Sequence, residues 1–143
     1  MKRFLAAVVA VTTALALTAC GSSSTNTTTD DKSAESTDDT TYKIGVLQLT
    51  QHAALDKANE GFIAALDESG IKYEVDQQNA SGEQSACQTI AEKLVNDGND
   101  LIYAIATPAA QAVAGVTSEI PIVLSAVTDP AESGLVASND APG

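Results

Sequence analysis

Leu101-Ile102-Tyr103-Ala104-Ile105-Ala106, followed directly by Thr107-Pro108, is the stretch that decides the fold. Six apolar residues with no polar alternation predict a strand covered on both faces, the environment of a central strand in a parallel sheet. Thr107-Pro108 then joins an N-cap side chain to a proline at the first helical position, so an Ala-rich helix is expected over Ala109 to Val116. A buried strand passing at once into a helix is the unit from which parallel α/β sheets are built.

Working outward, the same unit recurs. Upstream, Tyr42-Lys43-Ile44-Gly45-Val46-Leu47-Gln48-Leu49 predicts a first strand that stops at Thr50-Gln51-His52. Leu55, Ala58, Phe62, Ile63 and Leu66 then recur at three- and four-residue spacing, predicting an amphipathic helix from Ala53 to Ser69 with Gly70 as its stop. Ile71, Tyr73 and Val75 alternate with Lys72, Glu74 and Asp76, a second strand ending at Gln77-Gln78-Asn79. Ser81-Gly82-Glu83-Gln84 has the form of a capping box, and the helix it opens carries the apolar line Ala86, Ile90, Leu94, with Cys87, Ala91 and Val95 beside it, closing at Gly98. Downstream, Ile120 to Ala126 predicts a fourth strand, and Thr128-Asp129-Pro130 repeats the cap-then-proline signature, so a short fourth helix is expected before Gly134.

Four strand–helix units predict the α/β class: a Rossmann-like parallel sheet with helices on both faces. Such sheets bind ligands at the carboxyl ends of their strands. Here those ends are Thr50-Gln51-His52, Gln78-Asn79, Thr107-Pro108 and Val127-Thr128-Asp129. All are polar or carry a helix cap, and two open helices whose free amides favour an anion.

Composition narrows the function. Seven Lys+Arg against nineteen Asp+Glu give a formal net charge of -12, which excludes a nucleic-acid binder working through a basic face. Aromatics are only 3% and there is no Trp, so the core must come from Ala, Val, Ile and Leu, which suits close helix-on-sheet packing. Four Lys and fourteen acids fall between residues 42 and 143, acidity that reads as solubility of an exported domain.

The first forty residues stand apart. Met1-Lys2-Arg3 precedes an uncharged run from Phe4 to Leu17, the layout of a secretory signal peptide over residues 1–19, too short to span a bilayer. Leu17-Thr18-Ala19-Cys20 resembles a bacterial lipobox, in which Cys20 is acylated and becomes the new N-terminus. Acylation would hold the protein to the outer face of a membrane, since each buried methylene contributes about 0.8 kcal/mol. Residues 20–41, with twelve Ser or Thr among residues 21–41, predict a disordered tether with an end-to-end distance of roughly 25 Å. Its Asp residues lack the geometry of a cation site. With Cys20 acylated, Cys87 has no disulfide partner, and a buried apolar role is expected for it.

An enzyme is not expected. There is one histidine, and no Gly-x-Ser-x-Gly, GxGxxG, phosphate-loop Gly-Lys-Ser/Thr or Cys/His metal spacing, so neither cofactor nor metal is called for. His52 lacks a nucleophile at a recognisable position, and ligand contact and a plain loop-end role are equally open for it. Asp129, before proline, belongs to a capping turn before it belongs to catalysis.

Gly45-Val46-Leu47-Gln48, His52-Ala53-Ala54-Leu55-Asp56, Gln78-Asn79-Ala80-Ser81-Gly82, the run from Asp100 to Gln111, Ile120-Pro121-Ile122-Val123 and Ala126-Val127-Thr128-Asp129-Pro130 together resemble the ABC transporter substrate-binding family that includes the tryptophan-binding lipoproteins. The resemblance covers residues 42–143, and departs from the family at Ala53, where proline usually follows histidine. It implies a type I periplasmic-binding-protein fold, two α/β lobes closing on a ligand, of which residues 42–143 would be the N-terminal lobe of a truncated chain. It further implies a lipid-anchored, extracytoplasmic protein of a bacterial cell membrane that captures a small solute for an ABC permease. The implied solute is an amino acid, aromatic ones included. Gln51, His52, Gln78, Asn79, Thr107, Pro108, Thr128 and Asp129 are the candidate ligand residues. A surface sensor domain feeding a signalling partner is the alternative.

Overall fold

The computed structural model describes residues 40–143; the signal segment, Cys20 and all but the end of the tether lie outside the described residues. In order, the chain forms β1 (Thr41–Gln48), α1 (Ala53–Ser69), β2 (Lys72–Asn79), α2 (Gln84–Asn96), β3 (Leu101–Ile105), α3 (Thr107–Val116) and β4 (Ile122–Ser125). The four strands make one parallel sheet in the order β2-β1-β3-β4. β1 begins at Thr41, opposite Lys72, one residue earlier than its hydropathy predicts, and ends at Gln48 rather than Leu49. Because the chain runs from β1 outward to β2 and then crosses back to β3, the topological switch point lies between β1 and β3. Ligands of open α/β sheets bind outside the carboxyl ends of the strands at that point.

Alternation along β1 divides the core into two layers. Leu47 joins Ile102 and Ala104 against Cys87, Ala91 and Leu94 of α2 and Ala109, Ala110, Ala112 and Val113 of α3. Val46 joins Tyr103 and Ile105 on the opposite face, where Leu55 and Phe62 of α1 pack with Val75. The Phe62 and Tyr103 rings stack at 4.1 Å between centroids, and the Tyr103 hydroxyl donates to Ala58 O at 3.4 Å. Helices therefore cover both faces, as the sequence predicts, but unequally. No residue of α1 is fully buried, and Val123 of β4 stays 38% exposed.

On the α2 side the small residues allow close approach. A Cβ on Gly45 would lie 3.2 Å from Leu94 Cδ2 and 3.3 Å from the Asn99 amide, so glycine there lets α2 settle onto β1. Asn99, itself buried, donates from Nδ2 to Leu94 O at 2.7 Å and so satisfies a carbonyl at the end of α2. The buried seam of α2 is Cys87, Ala91 and Leu94, with Ala86, Ile90 and Val95 half-buried at its flanks. Cys87 and Ala91 thus take the places expected for Ala86 and Ile90, while Leu94 stays in the line and Val95 beside it, a rotation in the first turns that periodicity alone does not resolve. Cys87 is a buried free thiol, and burial pushes its pKa up.

At the α2–β2 edge, Lys93 bridges Asp76 and Asp97, and Gln78 Nε2 also donates to Asp76. Hydrogen bonds from Lys93 and then Gln78 hold the Asp76 carboxyl below its ordinary 3.8, while Asp76 and Asp97 raise Lys93 above 10.5. A depressed carboxyl contributes stability that is present above 3.8 and lost as pH falls through its folded value. Lys93→Met is therefore expected to narrow the gap between the Tm at pH 7 and that at pH 3, modestly because both side chains are well wetted. An unchanged gap in paired thermal melts would show that this bridge contributes nothing to acid stability.

Candidate functional site

Four backbone hydrogen bonds stitch the carboxyl ends of the strands into one row. Ala80 N donates to Gln48 O at 2.9 Å and Gly82 N to Leu49 O at 2.8 Å, joining the β1 and β2 exits; Leu49 N donates to Ile105 O at 3.2 Å, and Ala106 N to Ser125 O at 2.9 Å, reaching β3 and β4. The candidate residues follow this row, four of them exposed (Gln51, His52, Asn79, Thr128) and four half-buried (Gln78, Thr107, Pro108, Asp129).

Backbone conformation marks the same edge. Among the described residues the non-glycine positions with positive φ are Ser81 (54°), Ala106 (86°) and Ala126 (54°), and each lies just past the end of a strand. Ala106, with ψ 153°, occupies a region that is almost glycine-only and costs on the order of 1–3 kcal/mol. Its carbonyl accepts from Ala110 N at 3.0 Å, the first bond of α3.

This geometry corrects the expected cap of α3. The helix starts at Thr107, its N-cap is Ala106, and no side chain makes a capping bond. Thr107 is already helical, so its hydroxyl is not in the N-cap position. Pro108 has no N–H, Ala110 N is bonded to Ala106 O and Ala109 is fully buried, so the amide that the first turn presents is that of half-buried Thr107.

The β2–α2 connection differs from expectation in the same way. Ser81 is not an N-cap: Glu83 holds that position without a side-chain bond, and α2 starts at Gln84. Glu83 N donates to Ala80 O at 2.9 Å across Ser81 and Gly82, both at positive φ, forming a tight turn that Asn79 supports by accepting from Ser81 N at 2.8 Å. Such a turn leaves Ser81 outside the helix, which the capping-box pattern cannot register. β2 runs through Asn79, so Gln78 and Asn79 hold its last two ladder positions. Gln78 is committed to Asp76 on the α2 side.

His52 is the N-cap of α1: Nδ1 accepts from Ala54 N at 3.2 Å, which leaves the ring hydrogen on Nε2. After β4, the expected short helix is a single turn instead, with Ser133 N donating to Asp129 O at 2.9 Å and Leu135 N to Pro130 O at 2.9 Å. Its cap is Asp129, the capping-turn role expected for that residue. Asp129 Oδ1 accepts from Glu132 N and from Asn139 Nδ2, each at 3.0 Å, and these bonds hold the carboxyl below its ordinary range. The edge thus carries the helix-terminal amide of Thr107 and one secured carboxylate.

Sequence reasoning passed over Gln48 and Asp56. Gln48 is 4% exposed, and Nε2 donates to Thr50 O at 2.8 Å and to Asp56 Oδ1 at 2.6 Å. The available signal was a polar residue at the strand end on the face where Ile44 and Val46 are apolar. Among the described residues no group of three or more His, Cys, Asp or Glu is arranged to hold a metal ion.

Comparison with known proteins gives concordant results. The family model for the ABC transporter substrate binding protein matches residues 43–143. The chain is 49% identical over 114 residues to a tyrosine-binding protein of Clostridioides difficile (strain R20291), covering 76% of this chain and 33% of that protein. Among solved structures it is similar to the L-Trp complex of an ABC domain from Streptococcus pneumonia (TM-score 0.70, 41% identity, 73% of this chain and 36% of that one). It is also similar to the ligand-free, open form of CD0873, a substrate-binding protein with adhesive properties from Clostridium difficile (TM-score 0.66, 44% identity, 68% and 34%). The chain spans about a third of the length of these relatives.

Proposed function

Because this chain belongs to the ABC transporter substrate-binding protein family, we propose that its strand-end edge binds the zwitterionic head of an amino acid, Tyr and Trp foremost, for delivery to an ABC permease. The amide of half-buried Thr107 receives the ligand carboxylate at the positive end of α3. The Asp129 carboxylate, secured as an anion, offers a counter-charge to the ammonium group. Gln51, His52, Asn79 and Thr128 supply hydrogen bonds around them, while Gln78 acts through its hold on Asp76. The observation that carries the reading is that the N-terminus of α3 and the Asp129 carboxylate follow the carboxyl ends of neighbouring strands, in a chain 41% identical to a protein solved with L-Trp.

The rest of the reading concerns residues outside those described. Cys20 carries the lipid anchor, residues 1–19 direct export, and the tether holds the domain on the outer side of the membrane. Metabolic labelling with a fatty acid, lost in Cys20→Ala, tests that part separately.

Solute binding is tested by titrating the 15N-labelled chain with L-tryptophan and L-tyrosine while following amide chemical shifts. Shifts are expected at Gln51, His52, Thr107 and Ala109. The apparent Kd is expected on the order of 1 mM, because this edge supplies one wall, whereas tight sites enclose about 70–90% of a ligand. No response to either amino acid, or shifts confined to the opposite ends of the strands, would refute the assignment.

A further inference from the structure

We propose that Gln48 is a positioning residue, whose buried side-chain amide locks the four-residue loop between β1 and α1 into the shape that presents Gln51 and His52; this rests on the solute-binding reading above. Gln48 closes β1 on the face that holds Ile44, Val46 and Ile105, all buried and apolar. A strand serving the core alone would carry an apolar side chain there, because a buried amide is tolerated only when its hydrogen bonds are made. Both protons of Nε2 are used, and both bonds serve the loop. One goes to Thr50 O in the middle of the loop, the other to Asp56 Oδ1 in the first turn of α1. Asp56 N in turn donates to His52 O at 2.8 Å, so the loop is gripped from the strand before it and the helix after it.

The grip extends to the neighbouring exit. Gln48 O accepts from Ala80 N and Leu49 O from Gly82 N. A Cβ on Gly82 would lie 3.9 Å from Thr50 Oγ1, so the two loops are in contact distance. The loop that the Gln48 side chain holds is thus the one against which the β2 exit docks through the main chain, on one side of the switch point. The amides of α3 on the other side are held independently, through Ala106 N and Ser125 O.

The experiment compares wild type with Gln48→Met, which keeps the volume and removes both bonds. By hydrogen exchange, the Leu49 and Gly82 amides are expected to exchange about 10-fold faster, while Ile102 N, which donates to Pro121 O in the core, keeps its rate. In the titrations, ligand-induced shifts at Gln51 and His52 are expected to disappear while those at Thr107 and Ala109 persist. Gln48→Glu sets two carboxylates together and is expected to match or exceed this loss, and Gln48→Glu/Asp56→Asn restores a 48–56 hydrogen bond and slows exchange again. Should Gln48→Met fail to fold, Asp56→Ala, at a half-buried position on α1, removes one of the two bonds and is read in the same way. Uniform acceleration at all amides, no change at Leu49 and Gly82, or a double variant no better than Gln48→Glu would each overturn the proposal. A wild type that ignores both amino acids refutes the solute reading instead, and the exchange rates still decide the role of Gln48.

Discussion

Leu94→Ala is expected to remove about 3 kcal/mol of folding stability, within the usual range of about 2–5 kcal/mol for truncating a buried leucine. Leu94 is fully buried, one of the largest such side chains, and it meets the sheet where Gly45 leaves room for it. The substitution empties a space that Gly45, Ala91 and Cys87 cannot fill, since none has a side chain long enough to follow. A domain of this size has a total stability on the order of 5–15 kcal/mol, so a large part of it depends on this contact. In urea the midpoint should fall by about 1–2 M with an unchanged slope. Leu66→Ala provides the contrast. Leu66 is only half-buried on α1, which has no fully buried residue, and its truncation should cost less than half as much. Equal losses at the two positions would show that the two faces of the sheet are equally loaded, against the burial pattern.

That asymmetry is one of the things the sequence does not disclose. Apolar spacing in Ala53–Ser69 marks Leu55, Ala58, Phe62, Ile63 and Leu66, and these are half-buried as a set, so the orientation of the helix was legible. How deeply it packs depends on what else covers the face, which one helix's periodicity cannot report. The strands were legible for a stronger reason: Leu101 to Ile105 has no polar residue, and an uninterrupted apolar run between turn residues has few other uses.

Two caps, at Ser81 and Thr107, were read less well, and the cause is common to both. Ser81 and Thr107 have the residue types that favour N-caps, but propensity describes a helix end left to itself. Here backbone bonds between strand exits fix the chain first. Ala80 N and Gly82 N dock on the β1 exit, turning Ser81 into a positive-φ position, and Ala106 N docks on Ser125 O, giving the N-cap to an alanine with no side chain for the task. An alanine at φ 86° carries no sequence signal, since glycine would be the residue to expect. Asp129 was legible because its cap is local, made to Glu132 N three residues on. The candidate ligand residues thus lie at the strand ends where the sequence put them, while the Thr107 amide beside them and the buried Gln48 behind them emerged only from the pairing of strands.

Thr107→Asp is expected to separate stability from binding by moving them in opposite directions. Position 107 is the first residue of α3, beside amides with no partner in the helix, so an added carboxylate there gains about 0.3–1 kcal/mol from the helix dipole. The fold should be unharmed or slightly firmer, with Tm unchanged or raised. The same carboxylate occupies the place assigned to the ligand's own. Two like charges about 4 Å apart repel by about 4 kcal/mol at an effective dielectric constant of about 20, equivalent to roughly a thousandfold in affinity. Even a roughly hundredfold loss would take a Kd on the order of 1 mM beyond detection, so the shifts caused by L-tryptophan should vanish. Tryptamine, which lacks the carboxylate, supplies the control: its interaction with the edge should be kept or improved, because the added charge attracts its ammonium group. If L-tryptophan bound the variant as well as wild type, its carboxylate could not lie at α3. If both ligands were lost together, the substitution would be acting through shape, and the charge argument for this helix terminus would fall with it.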